Sequence, residues 1–332
     1  MRKSALVPAI LALTALAQAQ APPPVSPLPS VQNQSPNVFR TSASMVALNV
    51  TVTDGEELVT GLSAGDFEVY EDGVQQSVRF FETSDVPMDV ILLLDASSSM
   101  RSRMPVVHDA AKGFMQLLRS GDRGAVVAFS DNVRFVQDLT SDPAAIEVAI
   151  NSTVASGSTS LHNAIYVALK QFGRTAQAAG EVRRQAIAVL SDGEDTSSLV
   201  SFDDVLALAR RMGVNIYTIG LQSESASMRQ KYGRGFFSAS DYAMRTLAKE
   251  TGARAFFPMN VYDLKNVYGE IAEELGAQYS IAYSPTNARQ DGRFRRIVVR
   301  VTADPDFHPR ARSGYTAGPT RAGAGMLAPQ LR

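Results

Sequence analysis

Cysteine is absent from the 332 residues, and so is tryptophan. Without a thiol the chain forms no disulfide, thiolate nucleophile, zinc–thiolate site, iron–sulfur cluster or lipidated N-terminal cysteine. Histidine is scarce: the three present, His108, His162 and His308, carry no metal-ligand spacing. Net charge is nearly absent, with 32 Lys+Arg against 33 Asp+Glu. That balance excludes charge-driven binding of nucleic acid or anionic lipid by the whole molecule. There is no Gly-x4-Gly-Lys phosphate loop and no Gly-x-Ser-x-Gly elbow. Gly233-Arg234-Gly235 lacks the third glycine and the preceding strand of a dinucleotide fingerprint. What remains is a chain 45% hydrophobic and 20% charged, a composition that folds, with length for about two domains.

The first residues read as an address. Arg2 and Lys3 precede an apolar run from Ala5 to Ala17, and Ala17-Gln18-Ala19 has the small-x-small pattern of a cleavage site. The run is shorter than the roughly 20 residues of a spanning helix, and Pro8 interrupts it. Residues 1–19 are therefore expected to be a signal peptide. No later segment is apolar enough to span, so the mature chain is expected to have no transmembrane segment. It is expected to be exported to the periplasm, the cell surface or the medium. Residues 20–41 hold six prolines and read as an extended tether.

Residues 42–86 read as β-structure. Met45–Thr53 alternates apolar and polar residues, and Leu58–Leu62, Phe67–Glu71 and Val74–Glu82 follow as further strands around Asp54-Gly55 and Asp72-Gly73 turns. From Asp89 the pattern changes. Val90–Leu94 is apolar throughout, as in a strand buried on both faces of a parallel sheet. Gly124–Ser130, Ala186–Leu190, Asn215–Ile219 and Ala253–Phe257 read as further strands, with Val133–Leu139 an antiparallel edge. Helices are expected over Met104–Arg119, Pro143–Asn151, Leu161–Phe172, Phe202–Met212, Tyr242–Glu250 and Val261–Leu275. This alternation over residues 87–276 predicts an α/β, doubly wound, mainly parallel sheet. In 277–316, Gln278–Tyr283 and Arg295–Val301 read as alternating strands, joined through Asn287–Gly292, with Arg312–Thr316 one more. Asp291-Gly292 reads as their hairpin turn and Arg293, Arg295 and Arg296 as a solvated basic face. Neither β flank has enough strands to stand alone. Together they predict one β-sandwich with the α/β body inserted in it. Residues 317–332 read as a tail.

Three segments supply oxygens at the edge where doubly wound sheets bind ligands. They are Asp95-Ala96-Ser97-Ser98-Ser99 after the first apolar strand, Gly157-Ser158-Thr159 before a helix, and Ser191-Asp192-Gly193 after another apolar strand. Asp95, Ser97, Ser99, Thr159 and Asp192 form a set of two carboxylates and three hydroxyls. Such hard oxygens suit Mg2+ or Mn2+ and poorly suit soft metals. Neutral hydroxyl ligands leave the ion electron-poor, which favours an anionic ligand from outside: an Asp or Glu of a partner protein. A hydrolase or phosphatase using the same residues is the alternative. For it His162 lies near in sequence, but Ser97 stands where a phosphoryl-transfer site carries its second acid. Glu194 and Asp195 read as exposed loop acids. Ser223–Ser240, with Arg229, Lys231, Tyr232, Arg234, Phe236 and Phe237, reads as an irregular surface insertion, since export argues against a nucleic-acid partner.

In order and spacing these three segments resemble the metal-ion-dependent adhesion site of the von Willebrand factor A domain, over about Asp89–Leu275. The flanks, GLSAGDFEVYEDG at 61–73 and YSIAYSP, DGRFRRIVVRV and ARSGY after 279, resemble a bacterial, chiefly acidobacterial-type, group of related proteins. The resemblance implies that Ser97, Ser99 and Thr159 ligate the metal directly and that Asp95 and Asp192 act mostly through water. Ser158 stands where the family often has a second glycine. It implies a non-enzymatic module that binds protein through the ion.

Overall fold

The structure, a computed structural model, describes residues 45–83, 86–179, 183–192, 195–221 and 239–318. The expected signal peptide, the tether and nearly all of the 223–240 insertion lie outside them. The N-terminal flank folds into β1 (Val46–Asp54), β2 (Glu57–Leu58), β3 (Phe67–Glu71), β4 (Val74–Gln76) and β5 (Val78–Glu82). The central body carries β6 (Met88–Asp95), β7 (Arg123–Phe129), β8 (Val133–Thr140), β9 (Arg184–Ser191), β10 (Asn215–Gly220) and β11 (Ala255–Phe256). Its helices are α1 (Met104–Met115), α2 (Pro143–Asn151), α3 (Leu161–Ala179), α4 (Phe202–Met212), α5 (Ala239–Thr251) and α6 (Leu264–Ala277). The C-terminal flank adds β12 (Tyr279–Tyr283), β13 (Phe294–Val301), β14 (Phe307–Arg310) and β15 (Gly314–Thr316).

The body is the expected doubly wound sheet, in the order β11-β10-β9-β6-β7-β8. All neighbours are parallel except β8, an antiparallel edge on β7. Every residue of β6 is buried, because successive side chains enter two different cores. Val90, Leu92 and Leu94 pack with α1, α2 and α6, while Ile91 and Leu93 pack with α3, α4 and α5. Local sequence sets the helix ends. Ser201 caps α4 by accepting from the Asp204 amide, acids occupy its first turn and Arg210 and Arg211 its last, and Gly213 closes it at φ +70°. The chain leaves β6 for β7 on one side and later returns as β9 on the other. The carboxyl ends of β6 and β9 therefore flank a topological switch point.

The two flanks meet in a sandwich. One antiparallel sheet runs β14-β1-β12-β5, with β2 on β1, and the other runs β15-β13-β3-β4. Val46, Leu48, Val50, Val69, Tyr279, Ile281 and Ile297 share its core. The opposite face of the first sheet lies on the α/β body: Asn49 donates to Asn215 Oδ1 at 2.7 Å, and Thr51 reaches Glu274. For that reason β12 is buried along its whole length, where alternating faces were expected.

Other expectations are corrected here. The 74–82 strand is two strands that break at Ser77, β4 pairing with β3 and β5 with β12, so the chain crosses from one sheet to the other. Of the expected 58–62 strand only Leu58 lies in a strand, β2, together with Glu57. β12 and β13 form no hairpin, since they lie in different sheets. Arg295 is 5% exposed, not solvated, and its guanidinium sits 2.9 Å from Asp291. Ala317, read as tail, is buried, and its backbone bonds Arg293 and Gly292. Strand β14 was not expected, because Pro305, His308 and Pro309 hide its alternation.

Candidate functional site

Asp95 is the last residue of β6, and Asp192 follows the last residue of β9, so neighbouring parallel strands deliver both carboxylates to one edge. Both are buried. Behind Asp95 the chain turns: its Oδ1 accepts the Ser97 amide at 2.8 Å, and Ser97 precedes a single 3-10 turn over Ser98–Met100. This turn brings the Ser97 and Ser99 hydroxyls to 3.0 Å from each other. Ser99 then donates to Asp192 Oδ1 at 2.7 Å. Asp95, Ser97, Ser99 and Asp192 are thus joined in one series of contacts, Asp95 to Ser97 through the Ser97 amide and the rest through side-chain oxygens.

Thr159 arrives on a third segment, tied to both of the others through backbone bonds. Ser98 N bonds Gly157 O at 3.0 Å, and Ser156 N bonds Ala96 O at 2.7 Å. On the other side Thr159 O accepts the amides of Thr196 and Ser197. Thr159 itself is 5% exposed. Gly157 has φ +79°, and a Cβ there would meet the Asp131 carboxylate, which holds the Ser158 amide at 2.8 Å. Glycine at 157 is therefore required both by conformation and by space.

Several participants were not foreseen. The Ser191 hydroxyl donates to Asp95 Oδ2 at 2.6 Å. Burial pushes the Asp95 carboxyl above its ordinary value, with the hydroxyls of Ser191 and Ser97 working in the opposite direction. Arg103, just before α1, forms an ion pair with Asp192 Oδ2. In sequence its only signal is that it is the second of two arginines, Arg101 and Arg103, shortly after Asp95-x-Ser97-x-Ser99. Asp195 is not an exposed loop acid: it accepts the amides of His162 at 2.7 Å and Ser198 at 2.9 Å, capping the start of α3. Glu194 lies outside the described residues. The His162 ring faces Asp195 at 3.4 Å. Among the described residues, no Ser–His–Asp relay with Ser97, Ser99 and Asp192 is assembled.

The donor set fits a hard divalent cation. Two buried carboxylates and two hydroxyls are already linked, and a positive group, the Arg103 guanidinium, already rests on one of them. Among the described residues no three or more His, Asp or Glu gather in a group that could hold a metal ion. Chemically the arrangement is a cluster of polar side chains at the carboxyl edge of a doubly wound sheet, the class of architecture that binds ligands at its switch point.

Residues 89–270, more than half of the chain, match the von Willebrand factor type A domain, and the chain belongs to that family. A UPF0353 protein of Mycolicibacterium paratuberculosis is 26% identical over 200 residues, 56% of this chain and 61% of that protein. The chain thus spans less than two thirds of this relative's length. A von Willebrand factor type A protein from Catenulispora acidiphila is similar in structure at a TM-score of 0.47 and 17% identity, covering 72% of this chain and 52% of the other. Proximal thread matrix protein 1 of the mussel byssus, solved with zinc in its MIDAS motif, aligns at 0.47 and 18%, over 62% and 49%.

Proposed function

We propose that the chain is an exported, non-enzymatic binding protein whose α/β body holds Mg2+ or Mn2+ and through it captures an Asp or Glu side chain of a partner protein. Residues 1–19 serve as the export signal and 20–41 as a tether. Residues 87–276 form the binding body, carried on a sandwich made by 42–86 and 277–316. Asp95, Ser97, Ser99, Thr159 and Asp192 would hold the ion. When bound, the ion supplies a Lewis-acidic centre for an incoming carboxylate.

The observation that supports this most is the unbroken contact of Asp95, Ser97, Ser99 and Asp192 at the switch point. Two segments far apart in sequence contribute these groups, and backbone bonds hold the 156–157 segment that leads to Thr159 against the first of them. Ser191 and the Ser97 amide fix both Asp95 oxygens, so that carboxylate is oriented before any ligand arrives. The hydroxyls bring no charge, and an ion on this set keeps enough positive charge to prefer an anion. Among the described residues no helix is long and apolar enough to cross a membrane.

The test is calorimetry of the exported chain with Mg2+ and Mn2+, beside capture of partner proteins from an exported fraction with and without EDTA. Divalent uptake and EDTA-sensitive capture are expected, with both lost in Asp95→Ala while the circular dichroism spectrum is kept. Capture that survives Asp95→Ala or EDTA overturns the reading.

A further inference from the structure

Away from Asp95 and Asp192, a recess opens where α5 ends and β11 begins, beside β13 and β14. Its volume is 640 Å3, within the range of small-molecule sites. Arg245, Lys249, Arg310 and Arg312 line it, and among the described residues no Asp or Glu does. Ile297 and Pro309 contribute apolar wall. A smaller recess of 190 Å3 also takes Arg312 into its wall, again with only cations, Arg211 and Arg289, as charged neighbours.

These cations differ in their commitments. Arg310 is engaged: its Nη2 lies 2.6 Å from Glu274 Oε2 and its Nη1 donates to Gly252 O at 3.0 Å. The nearby Glu250 carboxylate is likewise taken, by Arg210 at 2.9 Å and by the Ser313 hydroxyl. Arg312 forms no ion pair among the described residues, and its Nε is buried without a hydrogen-bond partner. The Tyr315 ring lies 5.7 Å away, and the C-terminal end of α4 is close enough that a Cβ on Gly213 would sit 2.7 Å from Nη1. A helix end offers about half a negative charge, which compensates the guanidinium only in part. Burial pulls the Arg312 pKa down, yet an arginine stays charged in a protein.

The backbone carrying Arg312 is firmly placed. Gly252 has φ +78°, and a Cβ there would lie 2.6 Å from both the Ala311 carbonyl carbon and the Arg312 nitrogen. Glycine lets the Ala311–Arg312 segment seat directly on the end of α5, which fixes Arg312 in the wall of the recess. Lys249 is exposed on α5, pairs with no acid among the described residues and borders the same space.

A half-buried cation with no ion-pair partner among the described residues is costly, and a charge-assisted hydrogen bond from an anion would reduce that cost. We propose that this recess binds a small organic phosphate, its phosphoryl group held by Arg312 and Lys249 and its apolar part resting on Ile297 and Pro309. Two cations without acidic partners match a phosphate monoester, which carries about −1.5 to −2 at neutral pH, better than a single carboxylate. The site is independent of the metal-binding reading.

The experiment is calorimetry on the full chain with phenyl phosphate, inorganic phosphate and phenol, in EDTA. Phenyl phosphate is expected to bind, inorganic phosphate to bind more weakly and phenol not to bind. Lys249→Gln, an exposed substitution that leaves the fold intact, is expected to weaken phenyl phosphate about tenfold, one charge-assisted hydrogen bond. Arg312→Gln is expected to weaken it further. No binding at millimolar phenyl phosphate, equal binding of phenol, or an unchanged affinity in Lys249→Gln overturns the proposal. Equal affinity for inorganic phosphate overturns the apolar half of the site.

Discussion

Replacing Arg103 by alanine is expected to tighten divalent binding rather than weaken it. The Arg103 guanidinium pairs with Asp192, whose side chain is 1% exposed against 25% for Arg103. An ion that draws on Asp192 must share that carboxylate with the guanidinium or displace it. The contact is a charge-assisted hydrogen bond in a mostly buried setting, worth about 1.5–3 kcal/mol. Asp192 keeps the Ser99 hydroxyl after the substitution, so the lower end of that range applies. Removal of the competing charge should raise Mg2+ and Mn2+ affinity about tenfold, since 1.4 kcal/mol is one decade. Arg103→Lys, which retains the charge, should stay near the parent. Calorimetry on the three chains at one ionic strength reads the difference. An Arg103→Ala affinity equal to the parent or weaker would refute competition at Asp192.

Two further outcomes follow from groups away from the site. Asp89 is 2% exposed and holds Arg123 at 2.7 and 2.8 Å and Arg183 at 2.8 Å, so Asp89→Ala should cost about 3–5 kcal/mol in urea unfolding by leaving both guanidinium groups without it; a loss under about 1 kcal/mol would contradict that account. The phenols of Tyr283 and Tyr315 are raised above their ordinary value near 10, by burial first and then by the Glu71 carboxylate that both hydroxyls contact. Their protonated forms are favoured by folding. The stability they add is full below pH 10 and is lost as pH rises beyond it. Unfolding midpoints should therefore drop on the alkaline side, less steeply in Tyr315→Phe, and a flat profile there would count against the buried cluster.

The fold class was readable because β6 announces itself. Five consecutive apolar residues, Val90–Leu94, fit only a strand covered on both faces, and helical spacing between such strands implies crossovers. The same logic failed at β12. Its alternation suggests one wet face, but Ser280 and Ala282 are covered by a different layer of the same chain, which local periodicity does not encode. The break at Ser77 was invisible for a related reason. Residues 74–82 suit one long strand locally, and only the arrival of β12 and β13 from beyond position 277 divides them between sheets. At the candidate site, the oxygen-bearing residues stood out by their positions after strands. Arg103 and Ser191 did not, because their roles depend on which neighbours the turn geometry brings close. Asp195 was misjudged because an acid in a polar loop gives no hint of the amides above it.

The sandwich has a consequence for how the molecule matures. Tyr283 meets Glu71 across 212 positions, and Tyr315 meets it across 244. Strands β1 to β5 therefore precede β12 and β13, and beyond the local β1–β2 and β3–β4 pairs they find no mates until everything between has been made. Closing so wide a span is entropically slow unless the intervening segment has already contracted. The α/β body, whose neighbouring strands sit closer along the chain, is the natural early partner, and it delivers the two flanks to each other at one edge. During that interval the early strands are open to mispairing, and a lesion that delays the body, such as Asp89→Ala, should appear first as aggregation through β1 and β3.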